Sequence, residues 1–212
     1  MENSEIQHFL VKVPQDLHIH SVFSKRDTSV AETQTIPFLA RFRHAEIQGI
    51  SDHLECFDTE EEFDSYTREA RFYDMVLGIE VNGRDWVREA LRRDVDYYIY
   101  HCRDTSEDYR GAEKLLDAGK PVIIAHPCAL DTDLSRVPEE CYIELNNRYI
   151  WRKDWQAFYR PYVNTKQFVI GSDAHQPNWL NHTIARRIAH YFDITECILF
   201  PETADRFTSA VY

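Results

Sequence analysis

Short apolar runs recur along the chain, separated by longer stretches of mixed polarity. The runs fall at 16–21, 47–51, 75–79, 95–100, 121–125, 141–143 and 167–172, and they are rich in valine, isoleucine, tyrosine and leucine. Runs of that length and composition predict buried strands. The intervening stretches carry apolar residues at helical spacing and predict helices over 35–45, 60–73, 86–93, 109–118, 151–160 and 181–191. Thr35 ahead of Pro37 marks one helix start, and Gly119 marks one helix end. The 22–35 and 131–140 stretches are polar loops, and 194–200 is one further extended piece ahead of a tail. Seven strands alternating with helices predict a parallel α/β sheet. With no linker and no break in composition, the chain reads as a single domain over 1–212.

Each predicted strand runs into a histidine, aspartate or glutamate. In barrels of βα units these ends gather on one face, where active sites lie. Closure would place His18, His20, Asp52, His53, Glu80, His101, His126, Glu144, Asp173 and His175 in one bowl, including six of the ten histidines. In the first run, Asp16-Leu17-His18-Ile19-His20-Ser21, the two histidines lie two apart and face the same side of a strand, roughly 7 Å apart. Leu17 and Ile19 would then pack on the other face.

A single histidine at a strand end is usually a hydrogen-bonded structural group. Six together without a partner for each imidazole would be costly to bury. Imidazole and carboxylate without thiolate suit zinc, manganese or iron. The donors are too many for one ion, and a carboxylate such as Glu80 can bridge two, which predicts two or three divalent ions. Adjacent ions activate water at neutral pH and clamp the oxygens of a transferred phosphoryl group. Glu144 reads as an orienting or structural acid, and Asp16 and Asp52 as orienting carboxylates. His8, His44, His182 and His190 fall outside the pattern.

Composition narrows the function classes. A net charge of −12 argues against a nucleic-acid binder and requires local cations for any anionic substrate. Five scattered cysteines with no Cys-x-x-Cys pair predict reduced thiols in a cytoplasmic protein. No signal-peptide pattern and no membrane-length apolar stretch is seen. Only six glycines are present, and no Gly-rich phosphate loop.

The ordered set of motifs resembles the PHP (polymerase and histidinol phosphatase) family of metal-dependent phosphoesterases. The matching pieces are Asp16-Leu17-His18-Ile19-His20-Ser21, Ser51-Asp52-His53, Gly78-Ile79-Glu80, His101, Ala125-His126-Pro127, Ile143-Glu144-Leu145-Asn146 and Gly171-Ser172-Asp173-Ala174-His175, spanning about 15–190 and leaving 191–212 as a tail. The resemblance implies a distorted, TIM-like (β/α)7 barrel. It implies that His18 and His20 hold one ion with Glu80 and Asp173, that Glu80 bridges to a second held by His101 and His126, and that His53 and His175 serve a third. A metal-bound hydroxide would attack, and Asp173 or His175 would move the proton to the leaving oxygen.

Relatives place a histidine or aspartate five or six residues after the second histidine of the first motif. Here those positions are Lys25 and Arg26, with Asp27 next. Three outcomes stand open: Asp27 reaches in, the site is dinuclear, or Arg26 supplies a fixed cation that grips phosphate. Arg148, Arg152 and Arg103, just past strand ends, are further substrate-side candidates. The resulting expectation is hydrolysis of a small phosphorylated metabolite, a phosphomonoester, without stable nucleic-acid or membrane partners. The alternatives are a phosphodiester or nucleotide substrate, a non-catalytic metal-binding module, and an amidohydrolase. The last usually has a metal-bridging lysine at the fourth strand end, where this chain has His101.

Overall fold

The computed structural model describes residues 12–204. Seven strands, β1 (Val13–Asp16), β2 (Ala45–Ile50), β3 (Val76–Val81), β4 (Tyr97–Tyr100), β5 (Val122–Ile124), β6 (Tyr142–Asn146) and β7 (Gln167–Gly171), form one sheet in chain order. All six ladders are parallel. Among the described residues the helices are α1 (Ile36–Phe42), α2 (Glu60–Phe72), α3 (Val87–Ala90), α4 (Ser106–Leu116), α5 (Pro127–Leu130), α6 (Trp155–Tyr159), α7 (Thr183–Tyr191) and α8 (Pro201–Ala204). The sheet curls into a nearly closed, TIM-like barrel. Just beyond β1 and β7, a bridge between Ile19 and Ala174 and a bond from the His20 amide to the Ala174 carbonyl at 2.9 Å join the first and last strands.

Two apolar layers follow from strand alternation. Leu17, Ile47, Val76, Tyr97, Ile99, Ile123, Ala125, Val169 and Leu199 fill the barrel interior. The opposite faces, such as Leu77, Ile79, Tyr98, Val122, Ile124, Ile143 and Ile170, pack under the helices. Buried tyrosines lock strands to their surroundings through their hydroxyls. Tyr66 of α2 donates to the Gly78 carbonyl at 2.7 Å, Tyr97 to the Leu17 carbonyl at 2.6 Å and Tyr159 of α6 to the Glu144 carbonyl at 3.1 Å.

Local chemistry explains where elements differ from expectation. The first strand ends at Asp16 rather than running to 21. The Asp16 carboxylate accepts the amides of His18 at 3.3 Å and Ser172 at 3.1 Å, a side-chain turn that takes the chain out of the ladder. Leu17 therefore joins the interior layer, while Ile19 packs outward as expected. Helix α1 stops at Phe42, short of 45, because Arg43 leaves the helical region and Ala45 pairs with Val13. On α1 and α2, Phe42 and Phe72 stay exposed, Phe72 the more so, rather than joining the core. Helix α4 starts three residues early, capped by the Thr105 hydroxyl on the Asp108 amide. The 151–160 helix is interrupted at extended Lys153 and restarts at α6 under an Asp154 cap. Helix α5, unforeseen, is a single turn after His126-Pro127. The 194–200 piece forms no strand: it meets β7 in a single bridge at Glu196, turns at Phe200 with a φ of 59°, and seals the barrel base. The Cys197 amide donates to the Phe168 carbonyl at 2.7 Å, and Gln15 bonds Glu196 and the Leu199 amide. No helix among the described residues is long and apolar enough to cross a membrane. The five cysteines are free thiols.

Candidate metal centre

The strand ends deliver their polar residues to one mouth of the barrel. His18 and His20 follow the turn at Asp16, and His53 pairs with Glu80 in an isolated bridge just past β2. Asp52, fully buried, accepts the Ser21 amide at 2.7 Å and the Ser21 and Ser24 hydroxyls at 2.6 Å each. It thereby shapes the loop that carries His20. Burial pushes the Asp52 carboxyl up to about 6 despite those bonds. His126 and Asp173 hold positive φ angles of 28° and 53°, backbone strain that concentrates where a side chain must be aimed. Gly171 is required by proximity, since a Cβ there would meet the Glu144 carboxylate and sit 3.0 Å from the His18 Cβ.

Glu80 is the centre of the arrangement. Its Oε1 lies 3.3 Å from His18 Nε2 and 3.7 Å from His126 Nε2, and closely adjoins His101 Nε2. Its Oε2 lies 3.3 Å from His20 Nε2 and 2.9 Å from His53 Nδ1. Asp173 Oδ1 is 3.6 Å from His20 Nε2, 3.9 Å from His18 Nε2 and 3.3 Å from His175 Nδ1. Three overlapping groups have donor atoms within 4.8 Å of one another: His18, His20 and Glu80; Glu80, His101 and His126; His20, His53 and His175. Burial opposes charge on Glu80, but His101, His53 and His18 hold its carboxyl well below the usual range. Burial, with His175 and His53 nearby, keeps His20 neutral. Burial and then Arg148 push His175 down to about 4.

The donors fit divalent ions on two counts. First, the Nε2 atoms of His18, His20 and His101 and both oxygens of Glu80 are buried with no hydrogen-bond partner. Each such orphan costs about 1–3 kcal/mol. A cluster of them facing one space is stabilised when they share cations. Second, the opposite ring nitrogens are held by other groups, as metal-binding imidazoles require. His18 Nδ1 lies 2.8 Å from Glu144 Oε1, His20 Nδ1 3.3 Å from Ser24 Oγ and His101 Nδ1 3.3 Å from Asn82 Oδ1. Glu144 thus stands behind His18, and its Oε2 accepts the His126 amide at 2.7 Å and Asn146 at 3.0 Å.

Around the rim, Asp27 reaches in. Its Oδ2 is 2.9 Å from His175 Nε2 and 3.5 Å from His53 Nε2. Of the candidate arginines, the structure brings Arg148 into the centre, 3.4 Å from Asp173 Oδ1 and 3.0 Å from the His175 ring nitrogens, between the Tyr149 and Trp179 rings. Arg152 stacks on Tyr149, further out. Arg103 shares the Asn82 carbonyl with His101 at an exposed edge. Arg26 is not brought in: Asp58 and the Glu55 carbonyl engage it at the surface, beside the Lys25 ion pairs. A cleft of about 280 Å³ opens beside Arg148, bounded by Asn147, Trp151, Arg152 and Trp179. A larger cavity, about 480 Å³, lies at the other end of the barrel among Arg71, Asp94, Asp96 and Lys120, away from every histidine cluster.

Sequence reasoning passed over Ser24, Asn82 and Asn146. The last two sit two residues beyond Glu80 and Glu144, and the period of a strand would have placed them on the same face. It also set aside His44 and His182, which the structure gathers against Asp16. No protein-family model and no curated protein matches the chain.

Proposed function

We propose that the chain is a metal-dependent phosphoesterase of the PHP type that hydrolyses a small phosphomonoester. The carrying observation is Glu80, whose two unpartnered oxygens each face more than one imidazole at the mouth of the barrel. That suits a carboxylate shared between ions. In this reading His18, His20, Glu80 and Asp173 would hold one ion, Glu80, His101 and His126 a second, and His53, His175 and Asp27 a third. Bound there, zinc, manganese or iron would supply an acidified water and positive charge for the phosphoryl oxygens. Arg148 adds a guanidinium whose planar fork suits two phosphate oxygens, and the Tyr149 and Trp179 rings hold it in place. Asp173, raised by burial, and His175 flank Arg148 and are the groups to pass a proton to the leaving oxygen. The fourth strand end carries His101 where an amidohydrolase usually has a metal-bridging lysine, which sets the cluster apart from that arrangement.

Phosphate release from sugar, nucleotide and amino-alcohol phosphates tests the reading, with the protein loaded separately with manganese, zinc or iron. Release is expected to depend on the metal and to fall by about a hundredfold or more in His101→Ala. Turnover of phosphodiesters alone would redirect the assignment within the same chemistry. No turnover of either class by fully metallated protein would overturn it in favour of a non-catalytic metal-binding module.

A further inference from the structure

A second group of donors meets on the outer side of the barrel wall. Gln15 bonds the chain that seals the base and Leu17 joins the interior layer, so Asp16 between them faces outward. There its Oδ2 lies 2.8 Å from His44 Nε2 and 3.1 Å from His182 Nε2. The three residues are 0%, 8% and 2% exposed. They come from the end of β1, the loop ahead of β2 and the residue before α7. The other carboxylate oxygen is already taken by the amides of His18 and Ser172, which fixes the plane of the group and turns Oδ2, hydrogen-bonded to His44 Nε2 at 2.8 Å, toward the two imidazoles.

The angles matter more than the distances. His182 Nε2, though 3.1 Å from a carboxylate oxygen, makes no hydrogen bond, and neither do its Nδ1 nor the Nδ1 of His44. An N–H that serves a carboxylate points along the line between them. Two ligands of one ion instead aim their lone pairs at a common third point. The His44 and His182 rings approach at 87° to one another, from two directions. Donors on a tetrahedral zinc lie about 2.0–2.2 Å from it and so about 3.3–3.6 Å apart. One donor atom from each of the three residues lies within 4.8 Å of the others.

We propose that Asp16, His44 and His182 form a divalent-cation site of the zinc class, separate from the cluster at the barrel mouth, with water completing the shell. Two imidazoles and one carboxylate without thiolate are a zinc-type donor set. Its place suggests what it does. β1 and β7 share no ladder and are joined by the bridge beyond their ends at Ile19 and Ala174 and by the Ser172 amide on Asp16, and His182 heads the helix that packs on β6 and β7. One ion there ties the first strand and the loop before the second to the last long helix, across the seam.

The test is anomalous diffraction from crystals of the full chain saturated with zinc, measured on both sides of the zinc edge. A peak bounded by Asp16, His44 and His182, in addition to those at the mouth, is expected. Peaks at the mouth with none at this point would overturn the proposal and leave a hydrogen-bonded cluster. Metal analysis gives a second reading in solution. His44→Gln/His182→Gln is expected to bind one zinc fewer per chain, and an unchanged count in the folded variant would also overturn the proposal. The diffraction arm uses the unaltered protein, so a variant that fails to fold does not remove the test.

Discussion

Glu144 and His18 show how much of the candidate metal centre is built behind its donors. Glu144 is buried, its carboxyl kept below the usual range by His18 although burial pushes the other way, and it holds the His18 ring by Nδ1 at 2.8 Å. Glu144→Gln keeps the shape but removes the charged acceptor. Metal affinity at the mouth is expected to fall about 10–100-fold, measured by competition with a chelating dye. The arginines separate in the same way. Arg148→Ala is expected to lower kcat/KM about ten- to a hundredfold, the loss of one charge-assisted contact of about 1.5–3 kcal/mol. Arg26→Ala removes a surface pair with Asp58 and is expected to change it by less than about twofold.

Among the elements, the β1 turn and β7 decide how closely the first and last strands approach at the centre. Gly171 ends β7 where the Glu144 carboxylate and the His18 Cβ leave no room for a methyl group. Gly171→Ala is expected to destabilise the fold by about 1–3 kcal/mol and to weaken metal binding together with it, read by chemical denaturation and dye competition. The alternation of apolar and polar positions made six of the seven strands legible, along with the residue that each hands to the mouth. It misjudged β1, because a side-chain turn at Asp16 competes with the ladder, and strand period carries no sign of that competition. Helices with a clear apolar face and a cap, such as α2, were readable nearly to the residue. The 151–160 stretch was not, because extended Lys153 breaks a pattern whose apolar residues alone look continuous. His44 and His182 were invisible for a related reason. Neither follows a strand, and only the three-dimensional closure brings them to Asp16.

For the whole molecule, metal and stability are linked. The orphaned donors at the mouth and the ions that would satisfy them imply that chelation lowers the melting temperature. Zinc or manganese at about 100 times its dissociation constant is expected to add about 2.7 kcal/mol per site, checked by thermal scans with and without metal. Acid acts through a different group. Burial would raise the Asp16 carboxyl, but His182 and His44 more than offset it and hold it far below its ordinary value of 3.8. A carboxyl lowered in the folded state stabilises fully above its unfolded pKa and loses that contribution as pH falls toward the folded one. The stability gap between wild type and Asp16→Asn, from denaturation midpoints, is therefore expected to shrink as pH falls below about 4.

The 194–200 piece seals the base by bonding to Gln15 and Phe168, so contacts spanning some 180 positions of chain finish the fold. During synthesis the first strand waits for residues made some 180 positions later, and local helices form well before the wall can join. His18 and His20 leave the ribosome more than 150 residues ahead of Asp173 and His175. Any ion that these four share would consequently be acquired only once Asp173 and His175 have emerged, and truncation ahead of residue 167 would remove the last strand and those two donors at once.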